Sequence, residues 1–317
     1  MRGGGGVSSA PAGACLVAPV LRSMAWRMRG KPVVPRPILG LAALAACVAS
    51  TGAAAAAPFL ARYEVTAGGM TVMRVEALFD LEGPGYRIEA RIRTAGLGGL
   101  FSGGDQVASV EGRWHGNQPV PLRFRNEGTW RGGRRHVAMD YGAAGAPPVL
   151  RALEPPREPE REPVPEDLRR GTMDTLSAIA KLTRAVARTA RCDGEAATFD
   201  GRRRTDFVVR TAGVERVPPH PGFAGGDALR CALESRLVAG RHAAQDPGEA
   251  RRPQPATAWM AQVGPVPTPV PVRIELPSRW LGAVRVVLVG LELAGDRGGP
   301  GSLAAAAARD KPVQQGR

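Results

Sequence analysis

The sequence predicts a mainly β (α+β) protein: a curved antiparallel sheet or half-barrel packed around one amphipathic helix. Three observations predict it. Runs of alternating apolar and polar residues recur between residues 58 and 293, separated by Gly-rich turns. A single stretch with helical spacing, 172–188, divides them into two sets. No helix interrupts either set, so sequential strands should pair antiparallel.

Ahead of this domain, residues 1–57 carry six basic side chains and no acidic one. The positive stretch Met24-Ala-Trp-Arg-Met-Arg-Gly-Lys-Pro precedes the apolar run Ile38-Leu-Gly-Leu-Ala-Ala-Leu-Ala-Ala-Cys-Val48, and small residues lead to Pro58. As a helix that run rises about 16 Å, against a hydrocarbon core of roughly 30 Å. It therefore reads as an N-terminal extension and secretory signal peptide, with Met24 or Met28 as the true start. No transmembrane segment is expected in the mature chain. Cleavage before Ala57-Pro58 gives a free periplasmic product, the favoured reading. The alternative is a lipoprotein: Leu44-Ala-Ala-Cys47 matches a lipobox, and lipidation of Cys47 would anchor the chain.

The first set of strands occupies 58–150. Tyr86, Ile88, Ala90 and Ile92 alternate with Arg87, Glu89, Arg91 and Arg93, the pattern of a strand with one wet face. Thr71, Met73, Val75, Ala77 and Phe79 form a similar face, and runs at Gln106–Trp114, Leu122–Trp130 and Arg135–Tyr141 complete a meander. Residues 145–167 then carry prolines among Glu and Arg, which excludes helix and central strand and predicts an exposed connector.

In the helical stretch Thr172-Met-Asp174 offers capping oxygens, and Met173, Leu176, Ile179, Leu182 and Val186 recur at three- and four-residue spacing. The later strands are Glu195–Phe199, Asp206–Thr211, Leu229–Leu237 and a last hairpin around Pro277–Gly282. Residues 240–257 read as a polar surface loop, and 294–317 as a disordered tail. The domain is thus a single unit over 58–293.

The formal net charge is +14, yet only three of the 43 basic residues are lysine. With the Ala, Gly and Pro load this reads as coding bias, and no nucleic-acid partner is expected. Two cysteines, Cys192 and Cys231, remain if the leader is removed; an even pair in an oxidising compartment predicts a disulfide. The most concentrated charge feature is Asp200-Gly-Arg-Arg-Arg-Thr-Asp206. Asp-Gly supplies a β-turn with solvated arginines, the favoured reading; Arg202, Arg203 and Arg204 are the alternative, a candidate anion contact.

Tyr63-Glu-Val-Thr-Ala-Gly-Gly-Met, Thr94-Ala-Gly-Leu, Gly171-Thr-Met-Asp-Thr-Leu-Ser-Ala, Cys192-Asp-Gly, Phe199-Asp-Gly-Arg-Arg-Arg-Thr-Asp-Phe, Cys231 and Pro271-Val-Arg-Ile-Glu-Leu-Pro together resemble the exported bacterial domain-of-unknown-function family numbered 3108. The resemblance spans about residues 60–293 and departs at the inserts near 145–165 and 241–257. It implies a periplasmic, mainly antiparallel β domain without an assigned activity. It supplies no catalytic residue.

Chemical motifs are sparse. Gly98-Gly-Leu-Phe-Ser102-Gly-Gly lacks the spacing of a serine nucleophile elbow, and Ser177 precedes Lys181 by four residues rather than the three of SxxK. His115, His136, His220 and His242 are scattered, and no HExxH, GxGxxG or P-loop occurs. No metal or cofactor is expected. The leading reading is therefore a non-catalytic, envelope-associated protein that binds an apolar ligand such as lipid, or an envelope glycan, in the concavity of its sheet. One alternative is a hydrolase or lyase acting on an envelope polymer, for which Asp105, Glu111, Glu127 and Asp140 are the carboxylate candidates. The other is a structural or interaction module of the envelope.

Overall fold

The computed structural model describes residues 57–96, 103–156, 158–278, 282–294 and 303. The segment expected to be a signal peptide, Cys47, Ser102 and the tail from 295 onward apart from Leu303 lie outside them. Among the described residues thirteen strands form one antiparallel sheet. They are β1 (Phe59–Ala67), β2 (Met70–Asp80), β3 (Gly85–Thr94), β4 (Gly104–His115), β5 (Gln118–Trp130), β6 (Gly133–Asp140), β7 (Val149–Glu154), β8 (Gly194–Phe199), β9 (Arg204–Val217), β10 (Gly226–Ala239), β11 (Gln254–Val263), β12 (Val266–Ser278) and β13 (Gly282–Leu293). Helix α1 (Thr175–Thr189) lies between β7 and β8, and a single turn, α2 (Pro247–Ala250), between β10 and β11.

The strand order is 7-6-5-4-3-2-1-13-12-11-10-9-8. Two meanders therefore extend in opposite directions from the central β1–β13 pair, where Ala61 faces Leu291 and Val65 faces Val286. Helix α1 packs on β3, β4 and β5 of one arm and on β8 and β12 of the other. One helix of 15 residues can meet both arms only because the sheet curls around it. The half-barrel expected from the sequence is the observed architecture.

Alternation explains how the sheet acquires an inner face. Tyr86, Ile88 and Ala90 of β3, Ala77 and Phe79 of β2, Val110 of β4, Phe124 of β5 and Leu288 of β13 join one buried core with Leu176 and Ala180 of α1. Each fully buried aliphatic side chain contributes roughly 1.5–3 kcal/mol relative to exposure. Ile92, predicted on the same face, lies near the strand end and is 37 % exposed.

Asp174 caps α1, accepting from the backbone N–H of Ser177 at 2.9 Å. The helix ends at Ala190, whose left-handed backbone lets its N–H donate to Val186 O. Leu176 and Val186 of the apolar stripe are buried, Ile179 and Leu182 only partly. The deepest helical residues include Ser177, Ala180 and Thr183. A helix enclosed by a curled sheet is covered on more than one face, so small residues allow the closest approach.

Two segments differ from expectation. The proline-rich stretch 145–167 is not merely a connector: it contains β7, and it buries Val164 in the core. Val149–Glu154 is free of proline, and β7 is an edge strand, where flanking prolines are tolerated. The polar stretch 240–257 contains α2 and the start of β11, whose Pro255 lies opposite Glu234 of β10.

The edges β7 and β8 are not paired with each other. Residues 155–156 and 158–174 fill the seam between them. Met173 pairs with Thr198 of β8, donating to Ala197 O and accepting from Phe199 N–H. Gly201, in the β8–β9 turn, has φ +95°, and a Cβ there would lie 2.7 Å from Val137 Cγ1 of β6. The two arms of the sheet thus meet across the seam with no room for a side chain at this point.

Candidate functional site

A polar chain crosses the interior. The Ser177 hydroxyl donates to Asp174 Oδ2 at 2.6 Å, and the Ser177 and Tyr86 hydroxyls lie 2.7 Å apart. Burial pushes the Asp174 carboxyl up to about 6, against the hydrogen bonds from Ser177 that favour its charged form. Burial likewise raises Tyr86 and Tyr141. Ser177 and Asp174 have no solvent exposure. The chain therefore caps α1 and fixes it to β3; it presents no reactive atom to a substrate.

Beside it, α1 and the β8–β10 end of the sheet leave an apolar cavity of about 140 Å³. Ala178, Ile179 and Leu182 line it from the helix, and Phe207, Val209 and Leu233 from the strands. Helical i, i+3 spacing puts Ile179 and Leu182 on one face, and strand alternation puts Phe207 and Val209 on another. Lys181 stands at its wall, where Nζ donates to Glu195 O at 2.7 Å and burial lowers its basicity.

Cys192, which also lines this cavity, is joined to Cys231 as a disulfide with the Cα atoms 5.8 Å apart. The bridge ties the segment after α1 to β10, and Cys192 N–H donates to Thr211 Oγ1 of β9. The cavity is thus held by the helix, three strands and a covalent link.

A second, polar cleft of about 510 Å³ opens at the seam. Glu158 lines it, with Arg161 donating at 3.0 Å, Arg202 forming an ion pair at 3.4 Å and Arg135 also in contact. Burial pulls the Glu158 carboxyl upward, but hydrogen bonds from Arg161 and Arg135 hold it below the usual range. Arg202 is driven down by burial, then held up by Glu158 and pushed down again by Arg135 and Arg161.

The three consecutive arginines go separate ways. Asp200 Oδ1 accepts from the backbone N–H groups of Arg202 and Arg203, which makes the turn. Arg202 reaches the cleft and donates to Pro155 O at 2.6 Å. Arg203 returns to Asp200, and Arg204 pairs with Asp206 and donates to Leu168 O. Adjacent residues point apart, so the run does not form one fork.

The four carboxylate candidates lie on the outer face of the sheet, each beside a cation. Asp105 pairs with Arg91, Glu111 with Arg87, Asp140 with Arg125 and Arg151, and Glu127 with His136 at 3.4 Å. His220 packs against Phe223 in a tilted ring pair in the β9–β10 loop, and His242 borders the seam cleft. Among the described residues no three His, Cys, Asp or Glu side chains come together as a metal site, and no helix is long and apolar enough to cross a membrane. Arg135, Glu158 and Arg161 carry no sequence signal; they are convened only by the meeting of β6, the seam segment and the β8–β9 turn.

The model of a protein family of unknown function, DUF3108, matches residues 62–289. The chain belongs to the DUF3108 family. No curated protein matches this DUF3108 chain. Among solved structures, a β-barrel-like protein of the domain of unknown function DUF1849 from Brucella abortus is 14 % identical, with a TM-score of 0.50, over 75 % of this chain and 98 % of that one. At that identity the likeness concerns the fold alone. An exported protein with a YmcC-like fold from Bacteroides fragilis gives 10 % identity and a TM-score of 0.30, covering 74 % of this chain and 95 % of its own. A lipoprotein from Parabacteroides distasonis gives 9 % and 0.28, over 75 % and 95 %. These last two carry no weight for this chain.

Proposed function

We propose that this DUF3108 protein is an exported, envelope-associated binding protein whose ligand inserts a short apolar segment between α1 and β8–β10. The observation that carries this reading is the apolar cavity of about 140 Å³ lined by Ala178, Ile179, Leu182, Phe207, Val209 and Leu233. Walls this apolar favour a hydrocarbon segment over a polar one, although the pocket opens to solvent on one side. Its walls suit the end of one acyl chain rather than a complete lipid. Export is supported by the basic head and short apolar run of the leader and by the disulfide, which persists in oxidising compartments.

The test is a titration of the purified mature chain with a medium-chain fatty acid, followed by NMR or tryptophan-independent calorimetry. Binding is expected for the wild type and at least about tenfold weaker binding for Ala178→Phe, which fills the cavity from the helix side. Equal affinity in the two proteins would remove the cavity from the account.

A further inference from the structure

The seam cleft shares no lining residue with the apolar cavity. It therefore poses a separate question, beginning with its charge. Three guanidinium groups, those of Arg135, Arg161 and Arg202, converge on the single carboxylate of Glu158. All four side chains are largely screened from water, Arg202 being 14 % exposed and Glu158 11 %. The remaining acids at the cleft do not restore the balance. Asp200 is held by Arg203, and Glu154 by Arg134. Glu160 and Arg131 add one further charge of each sign to the lining. The wall is left with an excess of positive charge in a partly dry setting, where opposite charge is attracted more strongly than in water.

Two further features limit the chemistry of what could balance it. Asn126 donates through Nδ2 to Gln106 Oε1 at 3.1 Å, while its Oδ1 is buried without a hydrogen-bond partner. A buried acceptor left open is costly and calls for a donor. Trp130 adds an indole to the same lining. A cation-rich wall, an unfilled amide acceptor and an aromatic face match an oxyanion carried on a hydroxylated ring. The oxyanion meets guanidinium, a hydroxyl donates to Asn126 Oδ1, and the C–H face of the ring lies on the indole. The cleft, about 510 Å³, falls in the size range of small-ligand sites.

We propose that the seam cleft binds an acidic saccharide, a sugar bearing a carboxylate or a phosphate. Arg131, Arg135, Arg161 and Arg202 take the oxyanion, and Asn126 and Trp130 take the ring.

The mature chain is titrated calorimetrically with digalacturonate, glucose 6-phosphate, a neutral galactose disaccharide and inorganic phosphate. At least one acidic sugar is expected to bind about tenfold or more tightly than both the neutral disaccharide and phosphate. Its affinity should fall as salt rises from about 50 to about 300 mM. The carboxylate and phosphate arms identify the oxyanion. Arg135→Gln should weaken the favoured sugar at least about fivefold. Arg131→Gly should do the same without risk to the fold, because Arg131 already has φ 51°, a conformation glycine adopts freely. Arg74→Gln, remote on β2, should change nothing. Indifference of binding to Arg131→Gly, equal affinity for the neutral sugar, inorganic phosphate binding as tightly as either acidic sugar, or no binding of either acidic sugar overturns the proposal.

Discussion

Asp174 is a carboxylate with no solvent exposure, retained because one oxygen caps α1 and the other accepts from Ser177. Its cost is visible in its titration. In the unfolded chain it loses its proton near pH 4, whereas burial holds it protonated in the fold up to about pH 6. The folded state thus binds more protons in that interval. The stabilising contribution of Asp174 is complete below about pH 4 and is lost as pH rises through about 6, a change of about 3 kcal/mol. Asp140 and Glu158 act in the opposite sense, because arginine partners depress them. Subtracting the unfolding free energy of Asp174→Asn from that of the wild type isolates the first effect. The difference, measured by urea titration, should fall by about 2 kcal/mol between pH 4 and pH 6.5. A flat difference would mean that Asp174 stays charged inside the fold.

At the scale of elements, the sequence is most informative where apolar and charged residues alternate, although the charged face expected to be wet on β3 is partly covered, with Glu89 and Arg91 buried. The alternation of Tyr86, Ile88 and Ala90 with charged neighbours identifies β3, and the spacing of Leu176, Ile179, Leu182 and Val186 identifies α1. Strand β7 is hidden because its six residues stand among prolines, whose exclusion from strands fails at an edge. The apolar cavity is half legible. Ile179 and Leu182 belong to the predicted stripe, but only the folded sheet shows that they share a pocket with Phe207, Val209 and Leu233 at the margin of the core. The cleft is less legible still: of the conspicuous run, Arg202 and Arg203 line it, Arg203 while paired with Asp200, and Arg204 turns to Asp206. Two predictions belong here. Gly201→Ala places a methyl against Val137 at a backbone angle that glycine tolerates best; it should lower stability by about 1–2 kcal/mol in thermal unfolding. Loss of the Cys192–Cys231 link, 39 residues apart in sequence, should cost about 4 kcal/mol on chain-entropy grounds. That loss is read by comparing oxidised wild type with Cys231→Ser. An unchanged melting temperature would assign the bridge no role in holding β10 to the segment after α1.

For the whole molecule, the connectivity explains why one helix is sufficient. Pairing of β1 with β13 joins the beginning and end of the domain, and the two meanders leave their outer edges, β7 and β8, to be closed by residues 155–156 and 158–174. The same crossing delivers α1 to the interior, so the seam and the helix are consequences of one chain path. Packing is continuous around Leu176 and Ala180 but incomplete beside Ile179 and Leu182, and this gap is the basis for assigning a ligand. Under the proposed function this gap holds a ligand in the exported protein. Native mass spectrometry of the protein exported under its own leader and purified without detergent tests it most directly. The account predicts a mature chain carrying the disulfide and an apolar adduct that organic extraction removes and that Ala178→Phe fails to acquire. A mature chain of bare polypeptide mass, or an adduct carried equally by the variant, would contradict it.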